Sequence, residues 1–282
     1  MQHTFKAQKP CRLSIFLRQA GVSRSLMCYL KQYEGAITVN GENVHTDYML
    51  SAGDIAGICE PEERDGSIIK TPEPAVLKLY EDGEAVVFDK PPMMPCHPSA
   101  KHISDTLANY YAFLTGGRVF RCINRLDRDT SGCCLVAKSR YSAANIGQSV
   151  KKTYYAICQG TPPAEGVIEI PIRRTSDSII KRECASDGQY AKTAYRVLDH
   201  FGGYSLCEVT LGTGRTHQIR VHFSHIGYPL AGDDMYGGSL ANIDRQALHC
   251  GKISFISPDG GKAVTVTSDL PEDMKRLITP RP

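Results

Sequence analysis

The chain has 282 residues, 41% of them apolar and 22% charged, an ordinary balance for a globular protein able to bury one large core or one medium and one small. A net charge of +3 excludes a polycation, so any affinity for a polyanion must come from local clustering. Eleven cysteines, an odd number without a Cys-x-x-Cys pair, argue against a disulfide framework and for reduced, mostly buried thiols in a cytoplasmic protein.

The opening MQHTFKAQKP lacks the apolar stretch of a secretory leader. Leu13, Phe16, Leu17 and Ala20 then mark one face of a helix that Gly21 stops. Ser23 is placed to cap a second helix carrying Leu26, Leu30 and Tyr33, and Gly35 ends it. AITVNGENVH reads as strand, Asn-Gly turn and strand, and SAGDIAGICE as a turn and a further strand. Residues 1–60 are thus expected to form a small module of two helices and a sheet. Residues 61–76, with three prolines, a glycine and several acids, are expected to be a linker, and residues 77–282 a larger domain.

That domain opens with apolar runs around Asp82-Gly83, a hairpin signal. Ile103, Leu107, Tyr110 and Leu114 fit a helix face. CCLVAK and TYYAICQG are short strands, TAYRVLDHFGGYSLCEVTLGTG is two strands around Gly202-Gly203, THQIRVHFSHIG turns to helical spacing, and GKAVTVTSDLP closes with a strand. Hairpin-like strands mixed with a few helices predict an α+β fold on a largely antiparallel mixed sheet. No stretch nears the roughly 20 apolar residues of a spanning helix, so no membrane association is expected.

Charge concentrates between Arg118 and Lys152, where eight basic residues face only Asp127 and Asp129. Such a field suits a phosphate backbone, although charge runs are commonly just solvated surface. Asp127 precedes a Thr-Ser-Gly turn and a strand, a setting that fixes a carboxylate at a strand mouth; a structural ion pair is the plain alternative. In LGTGRTHQIRVHFSH, Thr216 is placed to cap the helix, with Arg215 just before it. His217, His222 and His225 do not have the spacing of a zinc hydrolase, and adjacent Cys133 and Cys134 point to opposite faces of a strand, so no metal site is expected. Tyr154 and Tyr155 also face opposite ways, which lets one enter the core while the other faces a cleft; a core role for both is the plain alternative.

Taken together, NRLDRDTSGCCLVAKS, KKTYYAICQG and LGTGRTHQIRVHFSHIGYPLAGDDMYGG resemble the three signature regions of the RluA-type pseudouridine synthases. LYEDGEAVVFDKPPMMPCHPS is similar to that family's opening hairpin and Lys-Pro segment, and the first module resembles the S-four RNA-binding domain. The resemblance implies an isomerase that needs no cofactor, because the uracil–ribose bond at nitrogen 1 breaks, the base turns, and carbon 5 bonds to carbon 1′. It implies Asp127 as the catalytic carboxylate, acting either on carbon 1′ or on carbon 2′. It further implies Arg125 as the residue that displaces the target base, Tyr154 against the flipped uracil, and Arg215 as the partner that charges and orients Asp127. Asp129 falls on a variable position. Arg128, Arg12, Arg24 and Lys31 are expected to contact RNA. Two departures stand out: Asn124 replaces the family's usual His, and Cys133 and Cys134 replace leucines. Large-subunit ribosomal RNA is the expected substrate and a monomer the expected state. A synthase acting on transfer RNA, a non-catalytic RNA-binding protein and, more remotely, a metal-dependent hydrolase are the alternatives.

Overall fold

A computed structural model describes residues 1–279. Strand β1 (Gln2–Lys6) and the short β2 (Cys11–Arg12) lead into α1 (Leu13–Gln19) and α2 (Arg24–Leu30). Ser23 caps α2 by accepting the Leu26 amide at 3.1 Å. Strands β3 (Ile37–Val39) and β4 (Glu42–Asn43) form a hairpin over Asn40 and Gly41, both in the left-handed region at φ 52° and 87°, the geometry an Asn-Gly turn supplies. Strands β5 (Met49–Leu50) and β6 (Ile55–Cys59) follow. β6 runs between β1 and β3, and Leu13, Leu17, Leu26, Leu30 and Ile58 form a core of their own.

The second core is built on a ten-stranded sheet. Its elements are β7 (Leu77–Glu81), β8 (Ala85–Lys90), α3 (Leu107–Thr115), β9 (Arg121–Cys122), β10 (Ser131–Ala137), α4 (Arg140–Ser149), β11 (Lys151–Gln159), β12 (Glu165–Ile168), β13 (Ile172–Arg174), β14 (Arg182–Cys184), β15 (Thr193–Phe201), β16 (Tyr204–Leu211), α5 (Gln218–His225), β17 (Leu248–Ile256), β18 (Ala263–Thr267) and α6 (Glu272–Ile278). The strand order is β12-β15-β16-β11-β17-β10-β8-β7, with β18 beside β17 and β9 beside β10, while β13 and β14 pair apart from it. Every pair is antiparallel except β10 with β17, which meet in parallel at Ser131–His249 and Gly132–Cys250. That parallel seam lies at mid-sheet, and a chain entering it needs a turn at its mouth. Asp127 is in that turn.

Some local readings change. Ile103 precedes α3 and is 61% exposed, because Thr106 and Asn109 form a capping box that starts the helix at Leu107. Thr216 does not cap α5; His217 takes that position in the left-handed region at φ 57° without a side-chain cap. Segment 61–76 is pinned by its acids: Glu62 pairs with Arg118 at 2.8 Å, and Glu63 pairs with Arg121 and Arg140. The two cores also meet directly. Glu60 accepts the Arg140 and Tyr141 amides at the start of α4, both at 2.9 Å, and Tyr141 packs into the N-terminal core.

Candidate active site

The Asp127 turn is held from below by three buried polar groups. Asn124 donates to the Cys133 carbonyl at 2.8 Å and accepts the Leu135 amide at 2.7 Å. Both ends of its amide are thus spent on β10, which accounts for asparagine at this position. Lys90 is fully buried and donates to the carbonyls of Pro91, Met94 and Arg128 at 2.8, 2.8 and 2.9 Å; burial pulls its pKa down to about 8. Thr130 closes the turn by donating its amide to the Asp127 carbonyl at 3.1 Å. Gly132 must be glycine: its φ is 104°, and a Cβ there would stand 2.4 Å from the Cys250 carbonyl oxygen.

Helix α5 forms the facing wall. Arg220, 6% exposed, makes a two-pronged pair with the buried Asp233 at 2.7 and 2.8 Å. Its remaining Nη1 donates to Asp127 Oδ2 at 3.3 Å, and its guanidinium lies 5.0 Å from the Tyr236 ring centre. Burial acts to lower the Arg220 pKa, but Asp233 and Asp127 outweigh it and raise the value further, so the guanidinium is a fixed cation. His217 points its Nε2 at Asp127 Oδ2, 3.8 Å away, and its Nδ1 meets the Tyr236 hydroxyl at 2.9 Å. Desolvation lowers the His217 pKa against the pull of Asp127.

The expected pairing of Arg215 with Asp127 is therefore corrected: Arg220 makes that contact. Arg215 is exposed and donates its Nε to the Tyr190 carbonyl at 3.0 Å. The cause is local. Gln218 accepts the Arg215 amide at 3.0 Å and binds Thr213, Lys192 and Thr193, which ties the loop to β15 and leaves the Arg215 side chain at the rim. A signal for Arg220 was present in QIRVHF: an arginine flanked by apolar helix residues needs a buried anion.

Arg125, Leu126, Asp127, Thr130, Tyr154, Leu211, Arg215, Ile219, Arg220 and Leu248 line one small cleft of about 60 Å³. Tyr154 comes from β11 and is 7% exposed; burial pushes its phenol pKa well up. Asp127 is the single carboxylate in the lining and keeps 28% of its side chain exposed. Arg125 is exposed at the rim. Arg128 lies outside the lining and pairs with Asp129 at 2.8 Å. Arg12, Arg24 and Lys31 are exposed on the N-terminal module, where Lys31 borders a roomier groove of about 660 Å³. The basic field from 118 to 152 is smaller than its sequence count, since Arg118, Arg121, Arg140 and Lys138 pair with Glu62, Glu63 and Glu81.

Residues 84–225 match the RNA pseudouridylate synthase family. An uncharacterized RNA pseudouridine synthase of Bacillus subtilis, YjbO, is 38% identical over 92% of this chain and 95% of its own length. The ribosomal large subunit pseudouridine synthase D of Yersinia pestis is 32% identical over 87% of this chain and 82% of its own. Among solved structures, the human RNA pseudouridylate synthase domain containing 1 superposes with a TM-score of 0.58 at 25% identity, covering 69% of this chain and 83% of that one.

Proposed function

Because the chain belongs to the RNA pseudouridylate synthase family, and is thus an isomerase acting on uridine in RNA, we propose that Asp127 is its catalytic carboxylate and large-subunit ribosomal RNA its substrate. The observation that carries the first part is the cleft itself, with one carboxylate in its lining, backed by a fixed guanidinium. Isomerisation breaks the bond between nitrogen 1 and carbon 1′ and forms one from carbon 5 to carbon 1′; the carbon 5 proton leaves and nitrogen 1 takes one up. No group is gained or lost overall. The Asp127 carboxylate acts on the sugar while Arg220 holds it in place.

A stacked uridine hides these atoms, so the nucleotide must leave the helix at a cost of a few kcal/mol. Arg125, exposed at the rim, takes the vacated place and holds backbone. Tyr154 packs against the freed uracil and limits its tumbling. Residues 1–60 act as an S-four-like RNA grip through Arg12, Arg24 and Lys31, with 77–282 as the catalytic domain. The ribosomal assignment is supported by relatives named ribosomal large subunit pseudouridine synthase D, and a cytoplasmic site of action is proposed with it.

The test is to incubate the purified protein with separate transcripts of large-subunit ribosomal RNA and transfer RNA and to map pseudouridine in each. Pseudouridine in the ribosomal transcript is expected. Modification confined to transfer RNA would overturn the substrate assignment and leave the chemistry standing.

A further inference from the structure

Three cysteines remote in sequence meet beneath the catalytic turn. Cys134 comes from β10, Cys122 from β9 and Cys96 from the loop after β8. The Cys134 sulfur lies 3.6 Å from that of Cys122 and 4.0 Å from that of Cys96, and all three sulfurs lie within 4.8 Å of one another. Thiolates bound about 2.3 Å from a tetrahedral metal ion stand about 3.8 Å apart. Two edges of the triangle already have that length.

Small side chains filling a core would also bring sulfurs together, but core filling does not call for the polar company found here. Cys96 donates to the Leu126 carbonyl at 3.3 Å and Cys134 to the Asn124 carbonyl at 3.7 Å. The buried Lys90 ammonium is close enough that Cys96 and Cys134 both act on its charge. Cys96 and Cys134 are buried and Cys122 is partly exposed, which leaves a way in. No other group of three side chains suited to a metal ion occurs among the described residues. The other close thiol pair, Cys158 and Cys207 at 3.9 Å, has no third sulfur.

We propose that Cys96, Cys122 and Cys134 form a binding site for a thiophilic divalent cation of the zinc class. Three thiolates and a divalent ion carry one net negative charge, which the Lys90 ammonium cancels, so the loaded site is neutral inside the core. Binding releases the protons of the three thiols. Three sulfurs leave one coordination place for water. The ion ties the loop after β8, β9 and β10 together next to Leu126, one residue from Asp127. This inference is independent of the reaction proposed above, since it concerns the ion alone.

The test uses the reduced full-length protein with Zn²⁺ and, as a spectroscopic probe, Co²⁺. One equivalent of zinc is expected to survive gel filtration, and cobalt is expected to give a sulfur-to-metal charge-transfer band. Cys122→Ser should weaken either ion at least about tenfold, while Cys28→Ser with Cys59→Ser, both exposed, should not. A second readout needs no variant: zinc should protect Cys122 of the wild-type protein from alkylation, read by mass spectrometry. Absence of the charge-transfer band, its survival in Cys122→Ser, or equal alkylation of Cys122 with and without zinc would each overturn the proposal.

Discussion

Arg220 stands 3.3 Å from Asp127 with its other edge clamped on Asp233 at 2.7 and 2.8 Å. The cation is therefore oriented before any substrate arrives, and the nitrogen that Asp233 leaves free, Nη1, donates to Asp127.

Arg220→Met is expected to lower the single-turnover rate about 100-fold, the order seen when a reacting group is misplaced by an ångström. Arg220→Lys should fall between it and the wild type, because an ammonium cannot serve both carboxylates with a planar fork. Breaking the buried Arg220–Asp233 pair should also cost about 3–5 kcal/mol of stability, measured by urea unfolding. Rates should therefore be compared well below each variant's Tm. Wild-type turnover by Arg220→Met would contradict this role.

Arg215→Met is expected to behave differently. Its side chain is at the rim and touches the Tyr190 carbonyl, so the saturating single-turnover rate should stay within about twofold of wild type, as for residues that bind ground and transition states alike. The RNA concentration giving half that rate should rise. A saturating rate lowered as far as that of Arg220→Met would restore Arg215 as the partner of Asp127.

The contrast between these arginines marks how far the sequence could be read. Local signals were legible: Ser23 caps α2, Asn40-Gly41 turns the β3–β4 hairpin, and Asp127 lies in a turn before β10. The convergence of Asp127, Tyr154 and α5 on one cleft followed from family motifs. What stayed hidden was long-range pairing. Asp233 lies 13 residues beyond Arg220 in a segment with no periodicity to mark it, and the acids of 61–76 that neutralise Arg118, Arg121 and Arg140 read as linker composition. The parallel β10–β17 seam was equally invisible, since β17 looks like any other strand and its partner lies more than a hundred residues away.

Two neutral histidines staple the sheet beside the cleft. His222 meets the Thr193 hydroxyl and the Ile170 carbonyl, both at 2.9 Å, and His249 meets the Ser131 hydroxyl at 2.9 Å and the Ser268 carbonyl at 3.1 Å. Burial lowers both pKa values below 6.5. As pH falls below about 6.5 the unfolded chain takes up protons that these sites refuse, so stability falls, by up to about 1.4 kcal/mol per pH unit for each group, and levels off below the folded pKa. The urea midpoint is expected to be lower at pH 5 than at pH 7, with a shallower decline in His249→Gln. Equal midpoints at the two pH values would contradict the neutral staples.

Replacing Arg12, Arg24 and Lys31 together by alanine is expected to weaken RNA binding and to flatten its dependence on salt by up to about 0.7–0.9 logarithmic units per lost phosphate contact. These side chains are exposed, so the fold should be unaffected. This variant is a cleaner test than removing residues 1–60, which would also uncover Tyr141 and strip Glu60 from the start of α4. An unchanged salt slope would mean that the module does not grip RNA through these residues.

The most direct measurement is pseudouridine formation by purified Asp127→Asn on an unmodified RNA that the wild-type protein modifies, beside RNA affinity and Tm for the same protein. The substitution keeps side-chain size and leaves the Arg220–Asp233 pair in place. Affinity and Tm close to wild type with no detectable pseudouridine are expected. Turnover by the variant above the level of wild-type contamination would contradict Asp127 as the catalytic carboxylate.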